Sequence, residues 1–96
     1  MMRIVWSPQA AADLRSVHSW IARENEATAR GVVEQIMRRI MILPDHPSMG
    51  RPGRVRETRE LIVTGTPYLV PYRVRGDRIE IIRVYHARRK WPPDPI

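Results

Sequence analysis

Several residue types are missing or nearly missing from this chain of 96 residues. It contains no cysteine and no phenylalanine, and its only lysine is Lys90. Without cysteine it can form neither a disulfide scaffold nor a thiolate metal site. Without phenylalanine the core must be built from aliphatic side chains, methionine, three Trp and three Tyr. No apolar run approaches the roughly 18–20 residues of a membrane-spanning helix. We therefore expect a cytoplasmic protein with no cofactor, no metal ion and no membrane contact.

Arginine, by contrast, is abundant. It accounts for sixteen of the seventeen basic residues, and the formal net charge is +7. Guanidinium groups bind phosphates and carboxylates through two parallel hydrogen bonds, so such a chain suits RNA, DNA or an acidic protein partner. The alternative is a basic surface that is merely solvated. Composition leaves both interpretations open.

The first half of the chain predicts one strand and two helices. With 43% apolar residues, the whole chain (1–96) is expected to form one domain with a two-layer core. Met2–Trp6 predicts a short strand, and Ser7-Pro8 predicts a helix start, because Ser caps free N–H groups and Pro fits the first turn. A second apolar stripe begins near Glu26 and is stopped by Pro44. The short link between the two helices predicts an antiparallel hairpin.

The second half of the chain predicts a basic loop followed by a three-stranded meander. The loop spans Pro44–Thr58, and the strands are Arg59–Thr64, Tyr68–Arg75 and Arg78–His86. The expected fold class is therefore α+β, in the order β-α-α-β-β-β. We expect the helical hairpin to pack on one face of a mainly antiparallel four-stranded sheet.

A tight turn at Gly76-Asp77 predicts the register of the last two strands. If Arg75 faces Arg78, one face carries the pairs Val74–Ile79, Tyr72–Ile81, Val70–Arg83 and Tyr68–Tyr85. That mostly apolar face must lie under the helices. The other face carries Leu69, Ile82 and Val84 together with Arg73, Arg75 and Arg78, with His86 beyond them. Such a face suits a partner-binding surface. Pro71 has no N–H group, so it predicts a weak ladder or a bulge.

Short motifs follow one another through nearly the whole chain. They are Trp6-Ser7-Pro8-Gln9-Ala10, Gly50-Arg51-Pro52-Gly53-Arg54, Thr58-Arg59-Glu60-Leu61, Gly65-Thr66-Pro67-Tyr68, Tyr72-Arg73-Val74 and Arg83-Val84-Tyr85-His86-Ala87-Arg88-Arg89. Together, and with this order of elements, they resemble the RelE/ParE superfamily of bacterial type II toxins. The resemblance implies a growth-inhibiting toxin that forms a hetero-oligomer with a small cognate antitoxin. It also implies that operator DNA is bound only through the antitoxin.

The resemblance further implies that a segment of the antitoxin wraps the toxin as helix and strand. The predicted contact surface is the uncovered sheet face, at Leu69, Arg73, Arg75, Ile82 and Val84. A groove of aliphatic and arginine side chains is what a wrapping amphipathic segment would need.

Two target classes stay open within the superfamily. ParE-like members poison DNA gyrase, whereas RelE-like members cut mRNA on the ribosome, which requires acid–base catalysis and cationic stabilisation of phosphate charge. For a nuclease the candidate catalytic residues are His86, Tyr85, Arg73 and Arg83, with His86 as the acid or base. The sheet carries no lysine, and no carboxylate–histidine pair is evident. These absences favour the ParE-like branch slightly, and a ParE-like toxin needs no catalysis.

Two basic segments are candidates for contact with the target. Arg51, Arg54, Arg56 and Arg59 could clamp phosphates, and Arg88, Arg89 and Trp91 form a basic tail with one aromatic ring. Purely structural roles are open for several candidates: an Arg73–Glu80 ion pair, a packed Tyr85–Tyr68 pair, and an Arg83 ion pair with a helix carboxylate. A third possible function is a non-toxic, basic nucleic-acid-binding module.

Overall fold

The structure is a computed structural model, and it describes residues 2–88. Within them lie β1 (Arg3–Trp6), α1 (Pro8–Ala22), α2 (Glu26–Ile40), β2 (Arg51–Pro52), β3 (Arg59–Ile62), β4 (Tyr68–Arg75), β5 (Arg78–Ile81) and β6 (Tyr85–His86). The helices form a hairpin that packs on one face of a mainly antiparallel sheet. The predicted α+β class is confirmed. Neither helix is long and apolar enough to cross a membrane.

Both helices begin at capped N-termini. The Ser7 hydroxyl accepts a hydrogen bond from the N–H of Ala10 at 2.9 Å, and Pro8 opens α1 as predicted. Asn25 caps α2 by accepting from the N–H of Thr28 at 3.0 Å. Asn25 lies only three residues after the end of α1 at Ala22, so the link between the two helices is short, as predicted.

Within residues 2–88 the sheet has six strands, where four were predicted. The strand order is β1-β5-β4-β3-β2, and β6 pairs with β4 beyond the end of β5. β1 runs parallel to β5, and the other pairs are antiparallel. One additional strand, β2, comes from the predicted basic loop. The other arises because the last predicted strand is divided into β5 and β6.

The helix-facing side of the sheet forms the main core, as predicted. Its buried members include Leu61, Val70, Tyr72, Ile79 and Ile81 from the sheet and Val63 just after β3, packed with Val17, Ile36 and Ile40 from the helices. Burial raises the pKa of Tyr72, so its hydroxyl keeps its proton as a donor. That hydroxyl donates to the Pro47 carbonyl and accepts from the Gly50 N–H, both at 2.8 Å. A Cβ on Gly50 would lie 2.6 Å from the Tyr72 ring, so this close approach requires glycine.

The register follows the prediction from the Gly76-Asp77 turn as far as Ile82 and then shifts by one residue. The predicted pairs Val74–Ile79 and Tyr72–Ile81 are present. The next pairs, however, are Leu69–Tyr85 and Tyr68–His86. One additional residue has therefore been accommodated between Ile82 and Tyr85, where Arg83 and Val84 stand opposite Val70 alone, and this makes the segment a β-bulge.

Pro71 explains why the ladder breaks at this point. The Ile82 N–H donates to the Pro71 carbonyl at 2.9 Å, but Pro71 has no N–H to return to Ile82. The Ile82 carbonyl instead accepts from the Ser7 hydroxyl at 2.8 Å. The prediction of a bulge near Pro71 is thus confirmed.

The shift reverses the faces of three residues, because a slip of one position moves side chains to the other side of a sheet. Val84 was predicted on the uncovered face but belongs to the core under the helices. Tyr85 was predicted on the face under the helices, opposite Tyr68, but packs instead with Leu69, Val55 and Ile82 in a second cluster. His86 was predicted on the uncovered face but lies against Tyr68 on the helix side.

Candidate functional site

Helix α1 holds the bulge in place through Asp13. Oδ2 of Asp13 accepts from the Arg83 Nε at 2.6 Å and from the Val84 N–H at 2.9 Å, while Oδ1 accepts from the Arg83 Nη2 at 3.0 Å. One carboxylate therefore binds both the guanidinium group and a backbone N–H that does not pair with a neighbouring strand. The predicted ion pair between Arg83 and a helix carboxylate is confirmed. The hydrogen bond with Asp13 raises the pKa of Arg83 and keeps it charged.

The Arg83 guanidinium group also stacks over the ring of Tyr85, 4.7 Å from its centroid. Arg83 is thereby fixed on two sides, by a carboxylate and by an aromatic face. Its half-buried position makes it a support for the segment that carries Tyr85 and His86.

Next to the bulge an open cleft of about 380 Å³ lies between α1 and the end of the sheet. Its wall includes Trp20 and Ser16 from α1, and Tyr68, His86 and Arg88 from the sheet end. The ring of His86 meets that of Tyr68 edge-on, with centroids 5.4 Å apart. Nδ1 of His86 accepts from the Arg88 N–H at 3.1 Å, so a neutral ring carries its proton on Nε2. The cleft combines aromatic surface with cationic and titratable groups.

Of the four candidate catalytic residues, Arg83, Tyr85 and His86 are neighbours, but Arg73 is remote from them. Arg73 lies on the opposite face of β4 from Tyr68, the partner of His86. It is also five residues further along the strand, about 17 Å at 3.3 Å per residue. Nε of Arg73 donates to the Glu80 carboxylate at 2.6 Å, which lowers the pKa of Glu80. The proposed set of four does not form one site.

The arginines of the basic loop are largely committed to contacts within the chain. Arg51 donates through Nη2 and Nε to Oε1 of Glu60, at 2.9 and 3.2 Å, and the Arg54 N–H donates to Oε2 at 3.1 Å. Arg59 donates to the Gly50 carbonyl at 2.7 Å. Arg56 is exposed and makes no hydrogen bond or ion pair with residues 2–88. Arg89 and Trp91 lie outside the described residues.

Glu60 is the buried acceptor on which this loop converges, and it was not among the candidates predicted from the sequence. Only 2% of it is exposed, although it belongs to one of the quoted motifs. Its register position opposite Pro71 places it on the face away from the helices. Four arginines within the nine positions before it were the available signal, because a carboxylate can neutralise such a loop.

The sheet face away from the helices is only partly open. Leu69, Arg73, Arg75 and Ile82 lie on this face, as predicted for the antitoxin contact, but Val84 does not. Leu69 is 6% exposed, because it packs with Tyr85 and with Val55 of the loop. The open part therefore begins at Ile82 and extends toward Arg73 and Arg75.

Comparison with known proteins identifies the family. A family model described as "ParE toxin of type II toxin-antitoxin system, parDE" matches residues 4–91, nearly the whole chain. The chain belongs to the ParE toxin family. The resemblance to RelE/ParE toxins, with the ParE-like branch favoured, is confirmed. Membership of a toxin family argues against the third hypothesis, a non-toxic nucleic-acid-binding module.

Individual relatives agree with this assignment. "Putative toxin Y4kP" from Sinorhizobium fredii is 38% identical over 90 residues, which cover 94% of this chain and 93% of the relative. "Toxin RelE2" from Caulobacter vibrioides is 29% identical over 89 residues, covering 93% and 99% of the two chains. A solved structure titled "Chromosomal ParDE TA system from P. aeruginosa" superposes with a TM-score of 0.81 at 29% identity, covering 90% and 96% of the two chains. This ParE-family chain is thus a toxin of a type II toxin–antitoxin system, and the family implies an antitoxin partner.

Proposed function

We propose that this ParE-family toxin acts in the cytoplasm by binding and inhibiting DNA gyrase, and that a cognate antitoxin neutralises it. The observation that carries the proposal is the separation of His86 and Arg73 onto opposite faces of the sheet. An acid or base and a phosphate-stabilising cation must both reach one phosphate during cleavage. A toxin that acts by binding has no such requirement.

The ion pairs made by the two candidate catalytic arginines, Arg83 and Arg73, support the same function. Asp13 holds Arg83 and Glu80 holds Arg73, each through a hydrogen bond of 2.6 Å. A guanidinium group already bound to a carboxylate is a poor stabiliser of developing phosphate charge, because that charge would have to displace its partner. No three His, Asp or Glu side chains within residues 2–88 come together as a metal site.

A supercoiling assay tests the proposal. Purified toxin is added to DNA gyrase, and conversion of relaxed to supercoiled plasmid is followed as toxin concentration rises. We expect progressive loss of supercoiling and its restoration when the protein encoded by the neighbouring antitoxin-like reading frame is added. Unchanged gyrase activity at saturating toxin would remove gyrase as the target.

Ribosome-dependent mRNA cleavage is the second candidate, because Tyr85 and His86 line one cleft and Arg83 stacks over the ring of Tyr85. In this case Nε2 of His86 would exchange the proton. Primer extension on mRNA from ribosomes exposed to the toxin would show codon-spaced cuts that disappear with His86→Ala. Uncut message with the unmodified toxin would rule this candidate out.

A further inference from the structure

Three arginines lie side by side across three adjacent strands. Arg3 of β1 is the register partner of Arg78 of β5, and Arg78 is the partner of Arg75 of β4. Ile4 and Ile79, one position further along, belong to the core under the helices, so the arginines lie on the opposite face. Strands in a sheet are about 4.8 Å apart, and the three Cα atoms therefore span about 10 Å. We call this set, Arg3, Arg78 and Arg75, the arginine row.

The chain itself only partly neutralises the arginine row. The Arg3 Nε is 3.8 Å from the Asp77 carboxylate, with both side chains about two-thirds exposed. The Arg78 Nη2 is 3.7 Å from Glu80, but Glu80 is already bound more closely by Arg73. Arg75 forms no ion pair with any residue from 2 to 88. Like charges directly opposite each other destabilise a sheet, so this arrangement calls for an external anion.

We infer that the arginine row binds three carboxylates on one face of an acidic, amphipathic helix of the antitoxin. The inference rests on the proposed neutralisation by an antitoxin and specifies its chemistry. Side chains at i, i+4 and i+7 of a helix lie about 5–6 Å apart and span about 10 Å, which matches the row. Side chains on one face of a strand are about 6.6 Å apart and match it less well.

The surroundings of the row favour such a helix over nucleic acid. Val5, 38% exposed, lies two residues beyond Arg3 on the same face and offers aliphatic contact. An amphipathic helix can cover it with its own apolar side chains, whereas a phosphate backbone cannot. The helix would run across the strands, with its acidic side chains over the row and its apolar side chains over Val5.

The test uses the full chain and two synthetic helical peptides of identical composition. In the first, glutamates occupy i, i+4 and i+7 with leucines beside them, and in the second the glutamates are spread around the helix. Fluorescence anisotropy at low salt gives the Kd. We expect the first peptide to bind several-fold more tightly and Arg75→Gln to weaken it about three- to fivefold, as for one exposed ion pair. Arg30→Gln removes the same charge from the exposed surface of α2 and should leave binding unchanged.

Several results would overturn the inference. Equal affinity for the two peptides, or equal weakening by Arg75→Gln and Arg30→Gln, would mean attraction by net charge alone. A single-stranded oligonucleotide whose binding depends on Arg75, when peptide binding does not, would make the row a nucleic-acid site. Gyrase takes no part in these measurements. A toxin that does not inhibit supercoiling but binds the first peptide more tightly than the second would therefore refute only the proposed target.

Discussion

Asp13 illustrates how one residue can organise the segment that carries the candidate functional groups. Its carboxylate bridges the Arg83 guanidinium group and the Val84 N–H, which has no ladder partner because of the bulge. Neither contact is visible from the helical pattern, in which Asp13 is an ordinary polar position. The ion pair of Arg83 could be predicted from the face of the sheet on which it was expected and from the nearby helix. The identity of its partner could not, because Asp13 is seventy residues away in sequence.

Replacing Asp13 by Asn should destabilise the fold measurably. The variant keeps the shape of the side chain but leaves the Arg83 guanidinium group, whose side chain is 25% exposed, without its counter-charge. Removing one partner of a partly buried pair in this way should lower the free energy of unfolding by about 1–3 kcal/mol. Urea unfolding of the variant and of the unmodified chain measures the difference.

The matched control is Glu24→Gln, which also neutralises one carboxylate but at an exposed position without an ion pair in residues 2–88. It should change stability by no more than about 0.5 kcal/mol. Similar losses for the two variants would mean that the Asp13 contacts contribute nothing beyond overall charge.

At the scale of elements, the junction between β1 and α1 does more than start a helix. Ser7 caps α1 through the Ala10 N–H and also donates its hydroxyl proton to the Ile82 carbonyl. Asn25 caps α2 through the Thr28 N–H, and its side chain makes no hydrogen bond with the strands of residues 2–88. Ser7 therefore makes a hydrogen bond to the sheet in addition to its cap, whereas Asn25 acts only as a cap.

Ser7→Ala should therefore cost more stability than Asn25→Ala. Loss of a cap alone lowers the free energy of unfolding by about 1 kcal/mol, and loss of the bond to Ile82 adds about 1 kcal/mol for Ser7. Thermal and urea unfolding of the two variants provide the comparison. Equal losses would show that the bond to the Ile82 carbonyl contributes no net stability.

The element order was predictable because each boundary has a local chemical signal. Ser7-Pro8 marked the first helix, and Gly76-Asp77 fixed the β4–β5 register, with Gly76 at a φ of +57° that favours glycine. The register beyond Ile82 was not predictable in the same way. Pro71 indicated a break, but the direction of the shift depends on Ser7 and Asp13, which are distant in sequence. Those long-range hydrogen bonds decided the faces of Val84, Tyr85 and His86.

The distribution of function over the whole molecule follows from the length of β4. Arg75 lies at one end of this strand, and Tyr68, next to the cleft that Arg88 helps to form, lies at the other. Seven residues separate these ends, about 23 Å at 3.3 Å per residue. The arginine row and the cleft are therefore too far apart for one short helix to cover both.

If the row binds the antitoxin and the predicted basic site near Arg88 contacts the target, the two functions should be separable by single substitutions. Arg75→Glu reverses a charge in the row and should raise the antitoxin concentration needed to restore supercoiling, without reducing inhibition of gyrase. Arg88→Glu should weaken inhibition and leave the affinity for the acidic peptide unchanged, because the about 23 Å between the two ends of β4 exceeds the Debye length of roughly 8 Å at physiological salt. Titration of toxin against gyrase, with and without antitoxin, measures both effects. Parallel loss of inhibition and neutralisation in both variants would mean that target and antitoxin compete for one surface, and that the distance along β4 does not divide the two functions.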